Sequence, residues 1–249
     1  MEDKKNSPDV VIGRNAVLEA LESGREINRV LILKSGRGFE KILDLIRDRK
    51  IPFDFVAKDR LDRLAPGKNQ GIAAMVSPVE FVDLDEILDL AKSRNETPFV
   101  LILDELEDPH NLGALIRTAD AAGIHGVIIP RRHSAPISSA VAKSSAGAIE
   151  HVKIARVGNI RDTLEELKNR GLWIIGADLD SDKFFYDVDL KIPIGIVIGN
   201  EGRGLRRLTR EACDILVKIP MLGKIQSLNA SVAGALLMYE SIRQKRDSR

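Results

Sequence analysis

A chain of 249 residues, 44% hydrophobic and 30% charged, is long enough for one large domain or two small ones, each with its own core. The charges nearly cancel, at +1, and aromatics make up only 4%, which argues against a uniformly basic nucleic-acid binder and leaves such a role to local patches. A single cysteine, Cys213, excludes an internal disulfide and any cysteine-based zinc cluster and suits a reducing cytoplasm, while no apolar run approaches the roughly 20 residues needed to span a bilayer.

The opening "MEDKKNSPDV" mixes both charge signs without an apolar stretch, so residues 1–8 are expected to be a disordered tail and not a secretion signal. Helix and strand patterns then alternate over 9–78. "NAVLEALESG" is a short amphipathic helix ended by Gly24, "INRVLILK" a strand, and "FEKILDLIRDRK" a helix with Phe39, Ile42, Leu43 and Ile46 at helical spacing. "FDFVA", "DRLDRLA" and "GIAAMV" follow as strand, helix and strand, completing a small α/β/α unit. Residues 79–97, with the acidic helical "LDEILDLAKS", are expected to link it to a second unit opening at Pro98.

The second unit, 98–249, is richer in buried-type strands: "FVLILDEL", "GVIIP", "VKIARV", "LWIIGADL", "IGIVIGN" and "ILVKIP". Helical patterns separate most of them. Apolar runs that do not alternate, divided by helices, predict an α/β fold with a parallel sheet covered on both faces. A long terminal helix is expected from Ser227, its cap, to about Lys245, with small residues in its first turns.

In an open parallel sheet, ligands sit beyond the carboxyl ends of the strands. Three turns there carry unusual polar residues: "LDELEDPHNLGALIRTADAAG", "IGNEGRGL" and "IPMLGKIQSLNASVAGA". In the first, Asn111 reads as a helix N-cap, with Arg117 six residues on as a surface arginine within reach of Asp120 or Asp104. In the second, Gly199, Gly202 and Gly204 fit neither the dinucleotide nor the P-loop spacing, and the carboxylate of Glu201 sits inside the turn. Arg203, Arg206, Arg207 and Arg210 beside it form the one local basic patch, which is also what a solvated helix face looks like. The third holds Ser227 and Asn229. There is no H-E-x-x-H or G-x-S-x-G, the four histidines lack metal-ligand spacing, and Cys213 reads as a small buried hydrophobe.

"DPHNLGALIRTADAAG", "IGNEGRGL" and "IPMLGKIQSLNASVAGALLMYE" resemble, in order, the three motifs of the SpoU (TrmH-type) branch of the SPOUT RNA methyltransferases. The stretch "VIGRNAVLEALESG…NQGIAAMVSP" resembles the ribosomal-protein-L30e-like substrate domain often found before them. The resemblance covers about residues 9–245 and is nearest to bacterial members that methylate a guanosine 2′-OH of 23S rRNA. It implies a C-terminal SPOUT domain with a deep trefoil knot, something periodicity would not reveal because threaded chains are so rare. It implies S-adenosylmethionine, held by Ala177, Gly199, Asn200, Ile219 and Leu228, and no metal.

By the same resemblance, Asn111, Arg117, Glu201, Ser227 and Asn229 are the catalytic set, with Glu201 orienting Arg117 or the target nucleotide. The family arginine is proposed as the base. Arginine's ordinary pKa of about 12.5–13.8 equally allows a cation that stabilises a developing alkoxide. Arg131, Arg132, Arg203, Arg206 and Arg207 are expected along the RNA path. The implied partners are rRNA and a second copy of the chain joined through the C-terminal domain, with no membrane. A tRNA guanosine methyltransferase, which usually lacks the N-terminal unit, and a non-catalytic ribosome-assembly factor are the competing readings.

Overall fold

The computed structural model describes residues 10–36 and 38–247, so the tail expected over 1–8 lies outside the described residues. The chain divides into two units. One reaches to Glu80 and includes Pro136–Ser139; the other comprises Phe81–Ala135 and the chain from Ala140 on.

The first unit runs β1 (Val10–Ile12), α1 (Arg14–Glu22), β2 (Ile27–Leu33), α2 (Glu40–Asp48), β3 (Phe53–Val56), α3 (Lys58–Leu64) and β4 (Ile72–Val76). Its sheet has the order β1-β4-β2-β3, with β2 and β3 parallel and β4 antiparallel to both neighbours. Successive side chains of a strand point to opposite faces, and both faces are used. Val30 and Ile32 pack with Val17 and Leu21 of α1 and Ile42 and Ile46 of α2, while Leu31 packs with Leu61 of α3. β1 was not foreseen: three residues are too few to display a period, and its pairing with β4 makes it a strand.

The second unit runs α4 (Leu84–Ser93), β5 (Phe99–Leu103), α5 (Pro109–Ala121), β6 (Gly126–Pro130), α6 (Ser139–Ser144), a 3-10 turn at Ala148–Glu150, β7 (Ile154–Val157), α7 (Ile160–Asn169), β8 (Trp173–Ala177), β9 (Ile194–Ile198), α8 (Arg207–Ala212), β10 (Ile215–Val217) and α9 (Ala230–Asp247). Its six strands lie in the order β10-β8-β9-β5-β6-β7 and every adjacent pair is parallel. β5, β6 and β9 are buried along their whole length, as the non-alternating apolar runs require. Residues 84–93 are not a bare connection. Ile87 and Ala91 of α4 are buried, and Ile87 belongs to this unit's core with Val100, Ile128 and Leu164.

From β5 the chain steps outward through β6 and β7, then crosses back to lay β8, β9 and β10 on the other side. That reversal sets a switch point between β5 and β9, and polar turns leaving the carboxyl ends of β5, β8, β9 and β10 gather around it. Helix α9 lies against α5 there. A side chain at Gly234 would run into Leu115, so the small residues of the terminal helix serve close packing. Among the described residues, no helix is long and apolar enough to cross a membrane.

Candidate active site

The site begins with a helix cap. Asp108 precedes α5, and its carboxylate accepts from the backbone N–H groups of His110 (3.1 Å) and Asn111 (3.2 Å), with Pro109 at the first helical position. Asn111 is therefore not the cap expected from the sequence; it sits in the first turn of α5, and its amide is released for other work. Asn111 Nδ2 donates to Glu201 Oε1 at 2.6 Å, and Asn111 Oδ1 accepts from Asn229 Nδ2 at 2.9 Å. The Oδ1 of Asn229 accepts from the backbone N–H of Ser231 at 2.9 Å and from its hydroxyl at 2.5 Å. Asn229 therefore caps α9, which starts at Ala230. Ser227, expected as that cap, lies three residues upstream on the preceding loop. One chain of hydrogen bonds thus joins all three polar turns.

The loop from Gly199 to Arg206 is shaped by its own backbone. The Asn200 N–H donates to the Gly204 carbonyl at 3.0 Å and the Gly204 N–H to the Asn200 carbonyl at 2.9 Å. Asn200 Oδ1 accepts from the N–H groups of Gly202 (3.0 Å) and Arg203 (3.2 Å). A Cβ at Gly199 would overlap the backbone of Gly204 and Leu205, so only glycine fits where the hairpin folds over β9. Beyond this hairpin, Arg206 turns to Asp104, a fully buried carboxylate, with Nη2 2.6 Å from Oδ1. Burial of the guanidinium works against its charge, but the hydrogen bond and charge of Asp104, with Glu105, outweigh that and raise the Arg206 pKa.

A cavity of about 550 Å³ opens beside this loop. Ala177, Gly199, Asn200, Ile219 and Leu228 all line it, as do Glu201 and Ser227. Glu201 connects the cavity to the network, since it belongs to the wall and accepts from Asn111. Its second carboxylate oxygen has no partner among the described residues.

The arginines divide. Arg117 is exposed on α5, lies outside the cavity lining, and makes no hydrogen bond or ion pair among the described residues. It pairs with neither Asp120 nor Asp104, and Glu201 orients Asn111 in its place. Arg207 pairs with Glu211 and Arg210 with Asp178, each at 2.7 Å, so the apparent basic patch is largely neutralised. Arg203, at the cavity wall, has no side-chain partner among the described residues. Arg206, expected on the RNA path, is committed to Asp104. Arg132 is exposed, and Arg131 Nε donates to the Arg156 carbonyl at 3.4 Å, bordering a second hollow near β6 and β7.

Burial first, then the neighbouring charge of Asp214, push the Cys213 thiol up to about 12, and its Sγ donates to the Thr209 carbonyl at 3.3 Å, so it packs as an apolar group. No group of three His, Cys, Asp or Glu side chains that could hold a metal ion occurs among the described residues. Sequence reasoning missed Asp104 and Asp108. The Asp-Pro pair at 108–109 is a helix-start signal that could have found the second.

The profile of a family described as SpoU rRNA Methylase matches residues 98–239, and that of RNA 2′-O ribose methyltransferase substrate binding matches residues 10–82. The chain is 46% identical over 240 residues to the putative TrmH family tRNA/rRNA methyltransferase YacO of Bacillus subtilis, covering 95% of this chain and 96% of that one. Among solved structures, it is similar to the SpoU methyltransferase AviRb from Streptomyces viridochromogenes in complex with AdoMet, at TM-score 0.60 and 30% identity over 96% of this chain and 91% of that chain. The A. aeolicus TrmH/SpoU tRNA modifying enzyme superposes with TM-score 0.57 and 31% identity, covering 66% of this chain and 86% of that chain.

Proposed function

From the premise that the chain belongs to the SpoU rRNA Methylase family, we propose that this RNA methyltransferase transfers a methyl group from S-adenosylmethionine to a ribose 2′-OH, that of a guanosine in 23S rRNA. The observation that carries the reading is the hydrogen-bonded chain Glu201–Asn111–Asn229, closed across three distant turns at the rim of a glycine-walled cavity.

The residues fit the cofactor. A volume of about 550 Å³ lies within the range of small-molecule sites. Its wall combines the hairpin at Gly199 and Asn200, apolar contacts from Ile198, Val217 and Leu228, and charges of both signs. Ala177, Gly199, Asn200, Ile219 and Leu228 would hold it. The group supplies, when bound, a methyl already activated by its sulfonium, which leaves the protein binding, orientation and electrostatics.

Asn111 is pinned at both ends of its amide, so Glu201 is presented in one orientation, its free oxygen open to the target nucleotide or to Arg117. Holding the hydroxyl in attack geometry accounts for the largest share of the acceleration. Arg117 would stabilise the alkoxide as it develops, an oxyanion-type role, if it is the charged guanidinium, or take the proton if it is the neutral guanidine. Because the cavity draws its walls from three separate loops, at 177–180, 198–205 and 217–228, we assign it to the trefoil knot that the family resemblance implies.

The first unit is read as the grip on folded rRNA, supported by the substrate-binding profile over residues 10–82. A homodimer forms through the second unit. Val232, Leu236 and Tyr239 leave one exposed apolar stripe along α9, beside the helix that carries Arg117. Cys213, kept as a thiol, suits the cytoplasm, where rRNA is modified.

The test is methylation of rRNA and tRNA side by side with full-length protein and labelled cofactor. Label confined to 23S rRNA supports the reading. Label confined to tRNA replaces the substrate and keeps the chemistry, and no label on any RNA leaves the assembly-factor reading.

A further inference from the structure

The loop that presents Glu201 is held at both ends by the turn after β5. At its start, Asn200 Nδ2 donates to the Glu105 carbonyl at 3.1 Å. Glu105 has φ of 60°, a left-handed conformation uncommon outside glycine, so its carbonyl direction is set by the surroundings. At its end, Asp104 accepts two hydrogen bonds from Arg206, from the backbone N–H at 3.1 Å and from Nε at 2.8 Å, and pairs with Nη2 at 2.6 Å. Glu105 Oε1 adds an ion pair to Nη1 at 3.3 Å.

Asp104 is 0% exposed. A buried carboxylate is tolerated only when its oxygens are fully engaged, and a planar guanidinium fork is the side chain that does this with fixed geometry. Arg206 does not line the cavity, whereas its neighbours Leu205 and Arg207 do. Its side chain is therefore directed to the sheet end while the loop around it forms the cavity wall.

We propose that Asp104 and Arg206 form a clamp that positions Asn200 and Glu201 in the wall of the cofactor cavity, and that Arg206 is a positioning residue there and not an RNA-phosphate contact. This rests on reading the cavity as the cofactor site. Between the two anchors the loop is shaped by the Asn200–Gly204 pairing and by Asn200 Oδ1, which accepts from Gly202 and Arg203, and Glu201 meets Asn111. Releasing one anchor lets Glu201 leave the position that meets Asn111, and sites tolerate displacements of only about 0.5 Å.

The experiment uses the full-length chain and the variants Arg206→Gln, Arg206→Lys and Asp104→Asn, with three readouts. Amide hydrogen exchange over 199–206 is followed without cofactor. S-adenosylmethionine affinity is measured by calorimetry, and binding to rRNA as a function of salt. Arg206→Gln should speed exchange in the loop and weaken cofactor affinity, each by about tenfold, the scale of losing a charge-assisted hydrogen bond. The salt slope of RNA binding should stay unchanged. Arg206→Lys, which restores the charge without the fork, should recover part of both losses.

Unchanged exchange with a salt slope reduced by about 1 makes Arg206 a phosphate contact and overturns the clamp. Faster exchange with cofactor affinity intact reduces the pair to a structural tie and overturns its positioning role. Should Asp104→Asn fail to fold, the Arg206 variants, altered at a half-exposed side chain, carry the test. Wild-type protein that binds no S-adenosylmethionine would refute the cofactor-site reading, and the clamp's positioning role with it, whatever the exchange data show.

Discussion

Two hollows of nearly equal size open on the second unit, about 550 Å³ beside β8, β9 and β10 and about 540 Å³ beside β6 and β7. Several charged side chains bordering the second are held by contacts of their own. Arg170 pairs with Asp85 and with Glu166, Arg131 donates to the Arg156 carbonyl, and the Arg156 guanidinium stacks over Phe81 at 4.5 Å. The first is walled by a glycine hairpin and bordered by an amide–carboxylate chain that leaves one Glu201 oxygen without a partner among the described residues. Volume does not distinguish them. The glycine hairpin and the hydrogen-bonded chain that joins three distant turns do.

The strongest way to break this contrast is Arg117→Ala. Methyl transfer should fall by roughly 10²–10⁴-fold, the range of a lost proton-transfer or charge-stabilising group, with cofactor affinity within about twofold of wild type. Normal turnover would remove Arg117 from the chemistry. Deleting residues 1–80 should abolish rRNA methylation while calorimetry still finds cofactor binding, and retained rRNA methylation would mean the first unit is not the grip. Gly199→Ala forces a Cβ into the hairpin backbone, costing about 1–3 kcal/mol of stability and weakening cofactor binding.

Asn229→Ala removes the α9 cap and one partner of Asn111, for about 1–3 kcal/mol by thermal unfolding, and activity is to be judged only once folding is confirmed. The smallest effect belongs to the other hollow. Arg131→Ala should leave stability within about 0.5 kcal/mol and cofactor affinity unchanged. A weakened cofactor affinity there would erase the distinction between the two hollows.

The parallel sheet is legible in the chain because strands buried on both faces must be apolar throughout, as β5, β6 and β9 are. Asn111, Glu201 and Asn229 stand out as polar residues in turns, and the family motifs single them out. Their connections are hidden: the two hydrogen bonds span 90 and 118 residues, and no local pattern encodes such distant pairings. Both caps were displaced for a local reason. Asn111 and Ser227 are good capping types, but Asp108 and Asn229 stand directly before the helices they cap and receive the free N–H groups. Arg206 looks like Arg203 in sequence, and only Asp104, 102 residues earlier, tells them apart.

The most direct test is to incubate the full-length protein with rRNA and S-adenosylmethionine labelled on its methyl group, digest the product to nucleosides, and identify the labelled one by mass spectrometry. The expected result is a single 2′-O-methylated guanosine from 23S rRNA, lost in Arg117→Ala. Label on a base carbon or nitrogen, or none in protein shown to bind the cofactor, would contradict ribose methylation at the Asn111–Glu201–Asn229 site.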